Sequence, residues 1–249
     1  MKKLLLLAVS LLGMASAQAQ TITAEDVIAL PGQSGTISVD LATNGESGIR
    51  DAQFSFVVPT GLTLGTPGVG DATEEAGGEG SYTVAISDGE TLGNGTKYTV
   101  VVYSTDANNF NDGAILNIPV SVPADYSGTY WDETTAYDLN GIAYTVENAT
   151  ETAVAADTYK FEVGLLGDVN KSGDVAFADA GLIFQYMEAG TTPASLGNFS
   201  VICDLNGDGS FSFADAGLVF DIIEGSASSS VKEEVEWNAP YEGEFDWAD

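Results

Sequence analysis

The sequence predicts a mainly β protein with a small α module: an antiparallel, jelly-roll-like β-sandwich followed by a pair of loop–helix units. Three observations predict it. Between about residues 21 and 163, apolar and polar residues alternate in seven short runs separated by Gly, Pro and Asn clusters. A pattern rich in Asp, Asn and Gly then occurs twice, from Asp168 and again from Asp204, roughly 36 residues later. Each copy runs into Phe-Ala-Asp-Ala-Gly-Leu, after which Leu182, Ile183, Tyr186 and Met187 recur as Leu218, Val219, Ile222 and Ile223, the spacing of one helical face.

In chain order, Met1-Lys2-Lys3, an apolar run and then Ala15-Ser16-Ala17-Gln18-Ala19 predict a secretory signal peptide over residues 1–19, cut after Ala17 or Ala19. The chain is therefore expected to be secreted and extracellular. No Cys stands near the cut to take a lipid anchor, and no second apolar run is long enough to span a membrane. Strands are expected at residues 35–41, 51–58, 81–86, 97–103, 114–122, 141–146 and 158–163, with turns at Pro67-Gly68, Asn94-Gly95 and Asn111-Asp112-Gly113. Seven such strands make a two-sheet sandwich over residues 20–163, a single domain with a sizeable core.

The loop–helix module is placed at residues 164–225. Residues 161–167 read as a strand entering a turn, and residues 197–203 are unlike an amphipathic helix, so neither loop is expected to have a helix before it. Residues 226–249 read as a Ser-rich linker and an acidic tail carrying Trp237, Tyr241, Phe245 and Trp247. Those aromatics fold back onto the protein or dock to a partner; Pro240 and Gly243 argue against a continuous helix.

Both repeats have the layout of a calcium loop. Oxygen-bearing side chains at positions 1, 3 and 5 point at one centre, a glycine at position 6 allows the sharp turn, position 7 offers its carbonyl, and a carboxylate at position 12 closes the shell. One such match arises easily as an acidic turn, whereas two at a fixed offset do not.

Composition narrows the function further. With 44% hydrophobic residues the chain is a folding one, although its formal net charge is -30. A nucleic-acid partner is excluded because little basic charge exists to neutralise phosphates. There is no histidine, which removes Ser-His and Cys-His nucleophiles and histidine zinc sites. The single cysteine, Cys203, is read as a small buried residue, so stability must come from a core and bound calcium instead of disulfides.

Residues 167–225 resemble a type I dockerin, the small calcium-dependent module that plugs enzymes and adaptors into cohesin domains of bacterial multi-enzyme scaffolds. That resemblance implies two Ca2+ sites. Asp168, Asn170, Ser172 and Asp179 with the backbone of Asp174 would form the first, and Asp204, Asn206, Asp208 and Asp215 with the backbone of Ser210 the second. Ser172 stands where the family has Asp or Asn, so the first site is expected to bind calcium more weakly. The resemblance also implies partner contacts at Phe177-Ala178 and Phe213-Ala214; the alternative is that both Phe residues pack inside a small core.

The order of elements in the sandwich resembles a cohesin, or the carbohydrate-binding sandwiches allied to it: strand, Pro31-Gly32 turn and strand, then Gly48-Ile49 before an alternating strand, then Asp112-Gly113 before a long apolar one. A generic immunoglobulin-like sandwich is the alternative. Together the two resemblances imply a non-catalytic, cellulosome-type adaptor of a polysaccharide-degrading assembly, with cohesin-domain proteins, a second copy of the chain among them, as partners; the alternatives are a carbohydrate-binding module tethered by the dockerin and a surface or matrix protein that calcium stiffens. A glycoside hydrolase would need two carboxylates at a set separation, and no motif singles out a pair. Tyr126, Tyr130, Trp131 and Tyr137, if exposed, would instead suit stacking on polysaccharide.

Overall fold

The computed structural model describes residues 19–72, 82–106, 108–146 and 151–227. The expected leader therefore lies outside the described residues except for Ala19, and the expected linker and tail lie outside them except for Ser226 and Ala227.

The alternating runs form strands because alternation places every second side chain against a shared core. One sheet orders β1 (Thr21–Ala24), β3 (Ser34–Ala42), β10 (Gly113–Ser121) and β5 (Thr63–Leu64), with β6 (Gly68–Val69) also on β10. The other orders β12 (Thr152–Ala153), β11 (Tyr137–Val146), β4 (Ile49–Pro59), β9 (Gly95–Ser104) and β7 (Tyr82–Ile86), with β13 (Asp157–Tyr159) on β11 and β8 (Glu90–Thr91) on β9. Pairing within both sheets is antiparallel. Ile37, Val39 and Leu41 of β3 with Leu116, Ile118 and Val120 of β10 share one core with Phe54 and Phe56 of β4, Val100 and Val102 of β9 and Leu139 of β11. Phe54 stands opposite Val100 and Phe56 opposite Tyr98, whose rings stack at 5.7 Å.

The strand expected at residues 158–163 is split in two. β13 stays on β11, whereas β14 (Phe161–Val163) pairs in parallel with β2 (Val27–Ala29). Lys160 is the crossing point: its N–H donates to Asp26 Oδ1 at 2.8 Å and its carbonyl accepts from Val27 N–H at 2.8 Å. The break turns the chain out of the larger sheet and into the module.

The four aromatics that sequence left as either stacking platforms or packing residues pack, fully or in part, against the cores. Trp131 is 9% and Tyr137 8% accessible, and Tyr126 and Tyr130 lie against the core with their rings edge to face at 5.5 Å. Backbone carbonyls of Thr129 and Tyr126 accept from their hydroxyls, so both rings are half-buried with their donors satisfied.

In the module, α1 (Phe177–Ala189) and α3 (Phe213–Ile223) face each other through equivalent residues, Ala180 and Ile183 against Ala216 and Val219. Gly190, at φ 66°, ends α1 in the left-handed conformation and donates to Met187 O. Contrary to expectation, a helix does precede the second loop: the 3-10 segment Pro193–Phe199 leads into a single α-turn, α2 (Ser200–Cys203). Gly197, at φ 55° and ψ −133°, kinks the chain inside the 3-10 segment, which is why no helical period shows in the sequence. A second core gathers Leu166, Ile183, Ile202, Leu205 and Val219 of the module with Leu30 and Trp131 of the sandwich, so the two parts share buried surface. No described helix is long and apolar enough to cross a membrane.

Candidate metal centre and docking face

Each loop is held by its own carboxylates. Gly173 and Gly209, at position 6, have φ of 90° and 83°, backbone that glycine adopts without strain. Their N–H groups donate to the first aspartate of their loop, Gly173 to Asp168 Oδ2 at 2.8 Å and Gly209 to Asp204 Oδ2 at 3.1 Å. The other oxygen of each takes the position-5 N–H, Ser172 to Asp168 Oδ1 at 2.9 Å and Asp208 to Asp204 Oδ1 at 3.1 Å.

The closing aspartates are helix-capping groups as well. Asp179 accepts from Asn170 N–H and Ala176 N–H, at 2.9 and 2.8 Å. Asp215 accepts from Leu205 and Asn206 N–H, and its Oδ2 takes both the N–H and hydroxyl of Ser212. Ser212 Oγ in turn accepts from Ala214 N–H, a reciprocal cap on α3.

Asp168, Asp179 and Asp215 have no accessible surface and Asp204 has 7%. None of the ion pairs among the described residues reaches them, since those pairs join Lys171 to Glu133 and Glu162. Buried carboxylates without a cation are costly, each by several kcal/mol on general grounds, and a hard divalent ion bound through oxygens removes that cost. Two aspartates per loop do not complete a shell: among the described residues no three His, Cys, Asp or Glu groups gather as a metal cluster. The other oxygen donors that the loops offer are Asn170, Ser172 and the carbonyl of Asp174 in loop one, and Asn206, Asp208 and the carbonyl of Ser210 in loop two. Such an all-oxygen set of mixed charge suits Ca2+. Asp208 is exposed and turned onto Ser210, whose hydroxyl (2.7 Å) and N–H (2.8 Å), with Asn206 Nδ2, hold its carboxyl below the usual range. In loop one Ser172 Oγ donates instead to Asp174 Oδ1, at 2.8 Å.

Phe177 and Phe213 open their helices and are 70% and 75% accessible, so neither is a core residue. Ala178 is exposed and Ala214 half-buried. Phe177 lies against Phe220 with ring centroids at 5.6 Å, and Phe213 against Phe184 at 5.5 Å. Exchanging the two repeats converts one pair into the other. The module therefore presents two equivalent apolar faces, one per helix start. Cys203 is buried, with its Sγ 3.7 Å from Phe199 O.

Sequence reasoning missed the residues that join loop one to the sandwich. Trp131 Nε1 donates to Asp168 Oδ2 at 2.6 Å. Lys171 Nζ sits 3.0 Å from Glu133 and 3.1 Å from Glu162, and lies over the rings of Trp131 and Phe199 at 5.0 and 5.4 Å. Burial alone would depress the Lys171 pKa, but hydrogen bonds to Glu133 and Glu162 outweigh it and raise the pKa above its ordinary value. One signal was available: position 4 is left-handed in both loops, and loop two fills it with Gly207 (φ 72°) whereas loop one strains Lys171 into it (φ 56°).

With this geometry, the family model of the dockerin type I domain matches residues 166–223. The module is dockerin-like. The span covers both loops and both long helices of the module. The chain is also similar to solved structures of cohesins. One is a non-cellulosomal cohesin from the archaeon Archaeoglobus fulgidus, 16% identical over 59% of this chain and 91% of that one, with a TM-score of 0.40. Another is the sixth cohesin of scaffoldin B from Acetivibrio cellulolyticus in complex with a Cel5 dockerin mutant, 14% identical over 58% of this chain and all of that one, with a TM-score of 0.42. A type I cohesin–dockerin complex from Clostridium thermocellum gives 14%, 58%, 99% and 0.42 for the same quantities. No curated protein matches the chain.

Proposed function

We propose that the chain is a secreted, non-catalytic adaptor that joins an extracellular, polysaccharide-degrading assembly by calcium-dependent docking of its dockerin onto a cohesin-domain partner. Ca2+ fills both loops and holds the two helix starts in place. Phe177-Ala178 or Phe213-Ala214 then supplies the apolar centre of the contact, and the sandwich is the part delivered to the assembly, itself receiving a dockerin. The observation that carries this reading is the pairing, in each repeat, of two buried carboxylates that have no cationic partner among the described residues with one Phe left in solvent beside the loop. A metal explains the first and a protein partner the second.

The test is calorimetry of the full chain with a purified type I cohesin domain, in calcium, in chelator, and with Asp179 and Asp215 both changed to Ala. Binding in calcium alone, lost in the double variant, supports the docking role. Undiminished binding in chelator, or no binding to any cohesin while both loops hold calcium, overturns it.

A further inference from the structure

We propose that Trp131, a sandwich residue, is a positioning residue for calcium in loop one, so that metal binding there and the seating of the sandwich against the dockerin are a single equilibrium. The proposal rests on calcium binding by the loops as proposed above and adds a residue from outside the dockerin to it.

The two loops differ in one respect that their sequences do not show. In loop two, Asp204 Oδ2 takes a single donor, Gly209 N–H. In loop one, Asp168 Oδ2 takes Gly173 N–H and, across the domain junction, Trp131 Nε1–H at 2.6 Å. Asp168 is fully buried, so this second donor sits where water does not compete and fixes the carboxylate plane. Oδ2 thus takes two close donors, whereas Oδ1 takes one, the Ser172 N–H at 2.9 Å, because the Ser172 hydroxyl proton goes to Asp174; Oδ1 is the more open oxygen for a metal. Groups that donate to a metal-ligating side chain orient it, and losing one typically weakens metal binding by about 10- to 100-fold.

Trp131 is itself held from the sandwich side. Its backbone is left-handed at φ 54°, its N–H donates to Val163 O at 3.0 Å, and its indole closes over Gly164 so tightly that a Cβ there would lie 2.5 Å from the ring. Lys171 supplies an independent second tie. It accepts a strained backbone that Gly207 avoids in loop two, and its ammonium bridges Glu133 and Glu162 of the sandwich while covering the Trp131 ring. Loop one therefore closes onto a surface that the sandwich provides. By linkage, calcium that orders the loop must tighten the junction by the same factor that the junction tightens calcium.

Each loop carries its own reporter, since Gly173 and Gly209 N–H donate to the first aspartate of their loops. The experiment is a calcium titration of the 15N-labelled full chain, following those two amides, for the unmodified protein, Trp131→Phe and Lys171→Met. Trp131→Phe keeps an aromatic side chain in the junction and removes the N–H donor together with the five-membered ring. The expected result is a 10- to 100-fold weaker midpoint at Gly173 with Gly209 unchanged within twofold, and a smaller weakening at Gly173 alone in Lys171→Met. Equal shifts at both glycines, or no shift at Gly173, would overturn the proposal. If Trp131→Phe does not fold, Lys171→Met decides by the same criterion. If neither glycine of the unmodified chain responds to calcium, the metal reading falls and the proposal falls with it.

Discussion

Because exchange of the repeats maps Phe177 onto Phe213, removing one of them should hardly matter and removing both should matter a great deal. If a partner seats on either face with equal affinity, Phe177→Ala deletes one of two equivalent modes. The loss is then twofold, about 0.4 kcal/mol. The double variant Phe177→Ala/Phe213→Ala removes the central side chain from both modes. Full burial of a Phe is worth about 1.5–3 kcal/mol, and these side chains keep 70% and 75% of their surface to bury, so each mode loses about 1–2 kcal/mol, a five- to thirtyfold fall in affinity. The rings are exposed, so melting temperatures should move little, and unchanged circular dichroism would show that the fold survives. Calorimetry of the single and double variants against a type I cohesin domain makes the comparison. If one single variant is as damaging as the double, the partner uses one face only and the equivalence argued here is wrong.

Ser172→Asp should raise the calcium affinity of loop one several-fold by adding a charged oxygen at position 5, read from the Gly173 amide during titration. Phe54→Ala, at a site with no accessible surface, should cost the sandwich about 3–5 kcal/mol in urea unfolding, with the far-UV helical signal of the dockerin retained in calcium. Asp132 provides a pH test. Hydrogen bonds from Thr134 and then Thr135 lower its pKa to about 2, so its contribution is complete above the ordinary carboxylate range and disappears as pH falls through about 2. Asp132→Ala should therefore destabilise at neutral pH by a modest amount, since the group is solvent-screened, and the gap from the unmodified chain should narrow as pH falls from about 4 towards about 2; a gap that does not narrow over that range would refute the assignment.

Local chemistry was legible in the sequence and non-local chemistry was not. The loops could be read because their geometry is written within twelve residues: Gly173 and Gly209 stand at the sharp turn, and Asp179 and Asp215 close onto the N–H groups of their own loops. Most strands were visible through alternation. The break at Lys160 was not, because what splits β13 from β14 is Asp26 and Val27, more than a hundred residues away. Tyr126, Tyr130, Trp131 and Tyr137 look amphipathic in sequence, and only the tertiary fold decides that their rings face inward. The link from Trp131 to Asp168 spans 37 positions and joins two units that composition alone treats as separate.

The sandwich touches the dockerin beside loop one and not in the same way beside loop two, so the near-symmetry of the plug is not shared by the whole chain. Turning the plug by the half-turn that interchanges Phe177 and Phe213 leaves the local contact as it was and swings the sandwich to the opposite flank of the partner. If the chain docks as proposed, it would work as a coupling with two settings of nearly equal energy, and in a string of such couplings the number of shapes would double with each joint.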